Sequence, residues 1–134
     1  MNAVDTNNLI YAHDPRDPGK QLTAISLIES LTDVALLWQV ACEYISASKK
    51  LEPLGYSWAQ AWQDIQELRL VWSAVLPSWE VADRAQRLLD RYGISYWDAM
   101  IVAACLEAGV ARMYSEDSFG RDNIDGLEII NPFA

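Results

Sequence analysis

Several acidic residues stand where apolar segments end or where apolar helices would run, and their spacing suggests metal chemistry. Asp5 ends a short apolar run, and Glu116 and Asp117 follow another. Glu43 and Asp98 lie within apolar stretches of helical periodicity. Converging carboxylates would repel one another and raise some of their pKa values, unless a hard divalent cation such as Mg²⁺ or Mn²⁺ lies among them. Such a site can activate a water and stabilise a phosphoryl transition state.

Asp98 poses the sharpest question, because it enters an otherwise apolar helix on the side that should face the core. In "ISYWDAMIVAACLEAG", residues 94–109, apolar side chains follow Asp98 three, four and seven positions on. An unpaired buried carboxylate is costly, so a bound metal would explain it. The alternative is a capping box, since Asp98 stands three residues after Ser95 and could accept from the Ser95 backbone N–H. The residues alone leave both interpretations open.

The other acids also have structural alternatives. Asp5 could cap a helix that begins at Thr6, and "SEDS" could be a polar turn. Glu43 is harder to explain in this way, because its nearest local partner, Lys50, lies two turns away. Taken together, the acids favour a metal site over four unrelated structural roles.

Strands alternate with helices along the chain, which predicts one α/β domain over residues 1–134 with a central, mainly parallel β-sheet flanked by α-helices. In such sheets, function gathers at the carboxyl ends of the strands. Two of the acidic positions directly follow strands, and we expect Glu43 and Asp98 in the first turns of helices that begin at the same edge. The predicted strands are 2–5, 33–38, 69–76, 111–115 and 127–133, and the predicted helices are 6–14, 20–31, 39–51, 57–68, 77–93 and 94–109.

The charge balance limits how this chain could hold nucleic acid. The formal net charge is −9, which argues against binding through bulk electrostatics. It leaves room for an enzyme that reaches phosphate through metal ions. The chain has one histidine, His13, so a Ser-His-Asp or Cys-His mechanism is disfavoured and a hydrogen-bonded structural histidine is expected.

The cysteines and the hydropathy pattern indicate the compartment. Cys42 and Cys105 both lie in apolar helical stretches, so we expect buried free thiols in a reducing cytoplasm rather than a disulfide or a zinc cluster. There is no apolar run long enough for a membrane span, and no basic-then-apolar leader typical of an export signal.

One predicted helix carries a basic stripe. Arg84, Arg87 and Arg91 recur at helical spacing and are candidates for phosphate contact. The alternative is a solvated helix face on which Asp83 and Asp90 pair with the arginines.

A second helix has an apolar face formed by Trp58, Ala61, Trp62 and Ile65. Tryptophans at this spacing more often belong to a core, but the same face could bury against a second copy of the chain.

The segments "AVDTNNLIYA", "ACEYIS", "ISYWDAMIVAA", "MYSEDS" and "EIINPF" together resemble a PIN-domain ribonuclease. More narrowly, they resemble the VapC toxins of bacterial and archaeal toxin–antitoxin pairs. The resemblance covers essentially the whole chain, and the "DTN" and "WDAMIVAA" segments are its most specific parts.

The resemblance implies a metal-dependent endoribonuclease that leaves a 5′-phosphate and a 3′-hydroxyl. It also implies a cognate antitoxin partner and a homodimer, and it makes the arginine stripe a candidate for contact with RNA or antitoxin. The family's acidic site, which holds Mg²⁺ or Mn²⁺, falls here on Asp5, Glu43, Asp98 and Asp117, with Glu116 as a second candidate for the fourth acid; Thr6, Asn7, Ser115 and Glu116 are the supporting residues.

Three rival interpretations remain. A haloacid-dehalogenase-type phosphatase needs a second acid two residues after the first, where this chain has Asn7. A response-regulator receiver is disfavoured because its acid pair precedes the phosphorylated aspartate. The third rival is a catalytically inactive PIN-fold protein-interaction module, and the presence of every acid in the pattern argues against it.

Overall fold

The computed structural model describes residues 1–117 and 119–134, and it confirms the predicted α/β architecture. Ser118, the second serine of "SEDS", lies outside the described residues. The described strands form one six-stranded sheet. They are β1 (Asn2–Val4), β2 (Val34–Leu37), β3 (Ser73–Val75), β4 (Arg112–Tyr114), β5 (Asn123–Ile124) and β6 (Leu127–Ile130).

Helices connect most of these strands, as the alternating pattern predicts. None of the helices in the described ranges has the length and apolar character that a membrane crossing needs. The described helices are α1 (Thr6–Tyr11), α2 (Pro18–Ser30), α3 (Trp38–Ala47), α4 (Trp58–Val71), α5 (Trp79–Tyr92) and α6 (Tyr96–Glu107), with a 3₁₀ segment over Ser48–Leu54.

The sheet places β1 at its centre, in the strand order β3-β2-β1-β4-β6-β5. Strand β1 pairs in parallel with both neighbours, so that Asn2 lies beside Val34 and Val4 lies beside Tyr114. Strands β3 and β6 extend the parallel pairing on either side. Because parallel strands end at a common edge, the residues after β1 and β4 are neighbours.

Strand β5 was missing from the sequence prediction, and it is the antiparallel member of the sheet. It joins β6 through a tight turn in which Asp125 and Gly126 both have positive φ angles, 50° and 96°. An Asp-Gly pair with this geometry is typical of a two-residue β-hairpin. The "DG" signal was therefore present, but the strand before it is too short to show periodicity.

The predicted strand 69–76 was wrong at its start. Helix α4 continues to Val71 and ends where the Trp72 N–H bonds the Leu68 carbonyl at 2.7 Å, so the strand is confined to Ser73–Val75. A short apolar run has no period that separates helix from strand. Helix α5 likewise begins at Trp79 rather than at Pro77.

The caps of α5 explain its bounds. The Ser78 hydroxyl accepts from the Val81 N–H at 3.2 Å at the start of the helix. Gly93 ends the helix with φ 67°, which confirms the predicted glycine cap.

Two predictions about burial were wrong. On α4, Ala61 and Ile65 are buried in the core, but Trp58 and Trp62 are exposed. Cys42 is also exposed, while Cys105 is buried as expected. Helix α4 turns its smaller apolar side chains inward, whereas α3 buries Val40 and Tyr44 in place of Cys42. Composition alone does not reveal which part of an apolar face meets the core.

Candidate active site

Asp5 lies at the carboxyl end of β1, where its backbone N–H bonds the Tyr114 carbonyl at 2.9 Å. One carboxylate oxygen accepts from the Thr6 N–H at 2.7 Å, so Asp5 does cap α1. The other oxygen accepts from the Ser115 hydroxyl at 2.8 Å. The side chain is 9% exposed. Asp5 therefore caps α1 and also joins the end of β1 to the end of β4, as the sequence predicted for these two strands.

Glu43 is held by two neutral donors. The Thr6 hydroxyl donates to Oε2 at 2.9 Å, and the Gln39 amide donates to Oε1 at 2.9 Å. Thr6 and Gln39, rather than Lys50, are therefore the partners of the Glu43 carboxylate. Helix α3 begins at Trp38, so Glu43 lies in its second turn rather than its first.

Asp98 is in the first turn of α6, and the capping interpretation is half right. The Ser95 hydroxyl accepts from the Asp98 N–H at 3.3 Å. Among the described contacts, no reciprocal bond joins the Asp98 carboxylate to the Ser95 N–H, whereas Ser57 and Gln60 at the start of α4 make both bonds. The half-buried Asp98 carboxylate is therefore not used by the cap.

The electrostatics of this edge of the sheet act most clearly on Asp5. Burial raises the pKa of Asp5 above its ordinary value, and the charges of Glu43 and Asp98 raise it further. The hydrogen bonds from the Thr6 N–H and the Ser115 hydroxyl oppose this rise. Within the part of the chain that the structure describes, none of the ion pairs includes Asp5, Glu43 or Asp98.

Ser115 connects Asp5 to the loop that carries the remaining acids. Its buried hydroxyl donates to Asp5 and accepts from the Asp117 N–H at 3.1 Å. Asp117 is exposed, and its carboxylate accepts from the Phe119 N–H at 2.9 Å. A single hydroxyl therefore orients both Asp5 and the backbone of Asp117.

Glu116, the second candidate for the fourth acid, is engaged elsewhere. The Tyr11 hydroxyl donates to its carboxylate at 2.6 Å, and Lys20 forms an ion pair with it. These contacts lower the pKa of Glu116 below its ordinary value. Phe133 packs edge-on against Tyr11 at 5.0 Å, and the Asn131 amide donates to the Glu116 carbonyl at 3.4 Å. Glu116 thus ties its loop to α1, α2 and the end of the chain.

Two residues with clear contacts at this edge were missed from the sequence. The buried Asn8 donates to the Tyr114 carbonyl at 2.8 Å and to the Asn7 side-chain oxygen at 3.1 Å, so Asn7 acts on Asn8. Gln39 donates to Glu43 and also to the Trp97 carbonyl at 3.2 Å, which joins α3 to α6. The spacing of Gln39 and Glu43, four residues apart on one helix, was the available signal.

The donor set fits a hard cation by chemistry, because it supplies carboxylate oxygens without a basic partner. In this structure, however, no three His, Cys, Asp or Glu side chains among residues 1–117 and 119–134 stand close enough to hold one metal ion. Glu43 is oriented by its hydrogen bonds to Thr6 and Gln39.

The arginine stripe of α5 is largely paired, but with partners other than those predicted. Arg84 bonds Glu107 at 2.8 Å, and Arg91 lies 3.5 Å from Asp125. Arg87 is exposed. Phosphate contact by this stripe stays a prediction.

His13 is a hydrogen-bonded structural histidine, as expected. It lies 3.3 Å from Asp64 and stacks on Tyr56 with ring centroids 4.3 Å apart.

Comparison with known proteins shows the fold family. Residues 3–121 match the family described as PIN domain. No sequence among the curated proteins matches the chain. The solved structures described next are each less than 25% identical to this chain in sequence, so their likeness shows the fold.

Three of these structures illustrate the likeness. A toxin–antitoxin complex from Klebsiella pneumoniae has a TM-score of 0.72 and 18% identity, over 98% of both chains. VapC20 of Mycobacterium tuberculosis, a toxin that cleaves the sarcin–ricin loop, has a TM-score of 0.69 and 19% identity, over 89% of this chain and 92% of that one. VapBC2 of Rickettsia felis, bound to a DNA fragment from its promoter, has a TM-score of 0.65 and 16% identity, over 96% of both.

Proposed function

The chain belongs to the PIN domain family, and we propose that it is a metal-dependent endoribonuclease that acts as the toxin of a toxin–antitoxin pair. One observation carries the proposal. Glu43 and Asp98 lie near enough to Asp5 for their charges to raise its pKa, yet within the described residues only neutral groups donate to Asp5 and Glu43. A fold that keeps such charges together without a basic partner is suited to a cation ligand.

The proposed roles follow from the contacts. Asp5, Glu43, Asp98 and Asp117 are the residues that would hold Mg²⁺ or Mn²⁺, and a bound ion would supply the activation of water and the stabilisation of the phosphoryl transition state. Asp117 is preferred to Glu116 as the fourth acid, because the Glu116 carboxylate is committed to Lys20 and Tyr11.

The supporting residues act by orientation. Ser115 orients Asp5 and the Asp117 backbone, and Thr6 donates to Glu43. Asn7 acts indirectly, through Asn8. Partners that orient metal-binding carboxylates are usually important for metal affinity and activity.

A cognate antitoxin, a homodimer and a cytoplasmic location complete the proposal. The similar structure from Klebsiella pneumoniae is itself a toxin–antitoxin complex, which supports an antitoxin partner. An exposed apolar groove with a volume of about 470 Å³ offers a surface for protein contact, and Trp38, Trp62, Ile65 and Leu76 are among the residues that line it.

The same groove favours the second candidate function, a catalytically inactive interaction module. The two candidates differ in what metal should do. A nuclease needs the ion, whereas an inactive module would keep the groove and have no use for the acids.

The decisive experiment is cleavage of total RNA by the purified protein with Mg²⁺ or Mn²⁺, beside Asp5→Asn and Asp98→Asn. Discrete cleavage that disappears in both variants and with a chelator is expected. Asp83→Asn, which removes an exposed acid on α5, is the matched control and should cleave normally. Circular dichroism must show that each variant is folded.

Two results would contradict the proposal. Cleavage that survives in Asp98→Asn would reduce Asp98 to a helix-capping position. No cleavage by the unsubstituted protein, together with no change in melting temperature on adding metal, would support the inactive module.

A further inference from the structure

An exposed aromatic pair stands directly beside the acids. Trp97 is 64% exposed and immediately precedes Asp98 in the first turn of α6. Tyr96 packs against it edge-on, with ring centroids 5.2 Å apart and planes at 79°. Adjoining exposed apolar side chains with polar groups around them can mark a ligand-binding groove.

A hydrogen-bonded bridge holds this pair in a defined position relative to the acids. The Gln39 amide donates to the Glu43 carboxylate at 2.9 Å and to the Trp97 carbonyl at 3.2 Å. The backbone at Trp97 is therefore tied to an acid on a different helix. Trp97 also adjoins Asp98 in the chain, so it stands on the same turn of α6 as a second acid.

The charges of the molecule indicate which groups those are. With a net charge of −9, the protein gains little from phosphate contacts alone. Lys20, Arg84 and Arg91 are already paired with acids. Stacking of a base on an aromatic ring needs no positive charge and tolerates any base.

We propose that Trp97, supported by Tyr96, is a stacking subsite for an RNA base next to the phosphate that lies at the acids. This inference rests on the proposed nuclease function and adds a residue that binds the substrate without taking part in the chemistry. It also gives Gln39 a role as a positioning residue between the stacking subsite and Glu43.

Binding of a short oligouridylate tests the subsite. The measurement is made with all the acids intact and with Ca²⁺, another hard cation that binds carboxylate oxygens, in place of Mg²⁺. Binding is followed by fluorescence anisotropy of a labelled strand, and gel electrophoresis checks that the strand stays uncleaved. Because a stacked base contributes about 1–3 kcal/mol, Trp97→Ala should raise Kd between about 5-fold and about 150-fold. Trp97→Phe keeps a ring and should recover most of the affinity.

Trp79→Ala is the matched control. Trp79 is 82% exposed and, like Trp97, lies in the first turn of a helix that begins after a serine cap. No described hydrogen bond or aromatic pair joins Trp79 to the acids, so this variant should change Kd by no more than about twofold.

An abasic strand separates stacking from indirect damage to the site. The Trp97→Ala variant should bind the abasic strand as tightly as the unsubstituted protein does, because that strand has no base to stack. Equal weakening on both strands would overturn the subsite, as would an unchanged Kd for oligouridylate. A change in sedimentation mass caused by Trp97→Ala would instead assign the ring to a protein interface and would also overturn it.

The cleavage assay distinguishes this failure from failure of the proposed function. With Trp97 and Asp5 both intact, cleavage of oligouridylate tests the nuclease itself. Trp97→Ala should raise KM and leave kcat nearly unchanged, since the ring binds equally in ground and transition states. A fall in kcat without a change in KM would reject the subsite and leave the nuclease standing.

Discussion

The candidate active site and the outer face of α5 differ in whether their charged side chains have partners of opposite charge. On α5, Arg84 and Arg91 each face an acid, and such exposed pairs contribute little to stability. At the end of β1, Asp5 lies near two other acids and accepts hydrogen bonds from neutral groups. The paired charges are already satisfied, whereas the converging acids keep unsatisfied negative charge at a cost in folding free energy.

The same contrast occurs between two adjacent residues. The Glu116 carboxylate forms an ion pair with Lys20 and accepts a hydrogen bond from Tyr11, whereas the exposed Asp117 carboxylate accepts one from a backbone N–H. A residue type and its place in a motif do not decide which acid is available. The partners brought by distant segments decide it.

The largest expected effect comes from substituting an acid without a basic partner, Asp98, and comparing it with the ion-paired Glu116. Asp98→Asn should lower kcat/KM for RNA by more than about 100-fold, because loss of a mere supporting partner at a metal site already costs about 10- to 100-fold. Glu116→Gln removes an ion pair outside the acid group and should cost less than about 10-fold. Equal losses in the two variants would remove the contrast.

Metal should relieve the repulsion at the acid edge. At a Mg²⁺ concentration 100 times Kd, binding adds about 2.7 kcal/mol to the free energy of unfolding. For a domain of this size, that should raise Tm on the order of 10 °C in thermal denaturation followed by circular dichroism.

Asp5→Asn provides the control for the metal effect. Asparagine can still cap α1 and removes one of the repelling charges, but its amide NH₂ cannot accept from the Ser115 hydroxyl as the Asp5 carboxylate does. These effects oppose each other, so Tm in chelator should stay close to that of the unsubstituted protein. Its Mg²⁺-dependent rise should disappear. A rise that persists would place the bound metal elsewhere.

An intermediate effect comes from the donors that orient the acids. Gln39→Leu should reduce kcat/KM by about 10- to 100-fold, since Glu43 and the Trp97 carbonyl both lose a donor. Gln63→Leu is a matched control, because Gln63 also bonds a glutamate four residues on, Glu67, on the exposed face of a helix. The control should change kcat/KM by no more than about twofold. Similar losses in both would mean that the bridge at Gln39 is incidental.

The smallest effects belong to the paired charges on α5. Arg84→Ala and Arg91→Ala should each lower the free energy of unfolding by no more than about 1 kcal/mol in denaturant titrations. RNA cleavage should stay within about twofold. A larger loss that shrinks as the salt concentration rises would show that the stripe contacts phosphate, and the comparison between the two regions would then fail.

The fold was largely predictable because hydrophobic periodicity carries it. The carboxyl-edge rule for parallel strands correctly predicted that the ends of β1 and β4 meet, and the bond from Ser115 to Asp5 is the result. The boundary between α4 and β3 was not predictable, since "LVW" fits either element.

Details of the site were harder to predict, because they depend on contacts between distant segments. Gln39 reaches Trp97 across 58 positions, and Lys20 reaches Glu116 across 96. No local pattern encodes such pairs. The same limit explains why Trp58 and Trp62 were expected to be inward but are exposed.

The contacts of the "NPF" segment have a practical consequence. Phe133 lies against Tyr11, and Asn131 bonds the backbone of Glu116, so the last residues brace the turn that presents Asp117. At one end this brace depends on the Phe133 ring, which packs against Tyr11 and lies 5.9 Å from the Lys20 ammonium. Any fusion partner attached after Ala134 must leave Phe133 seated against Tyr11, or a loss of activity could be misread as a defect in the acids themselves.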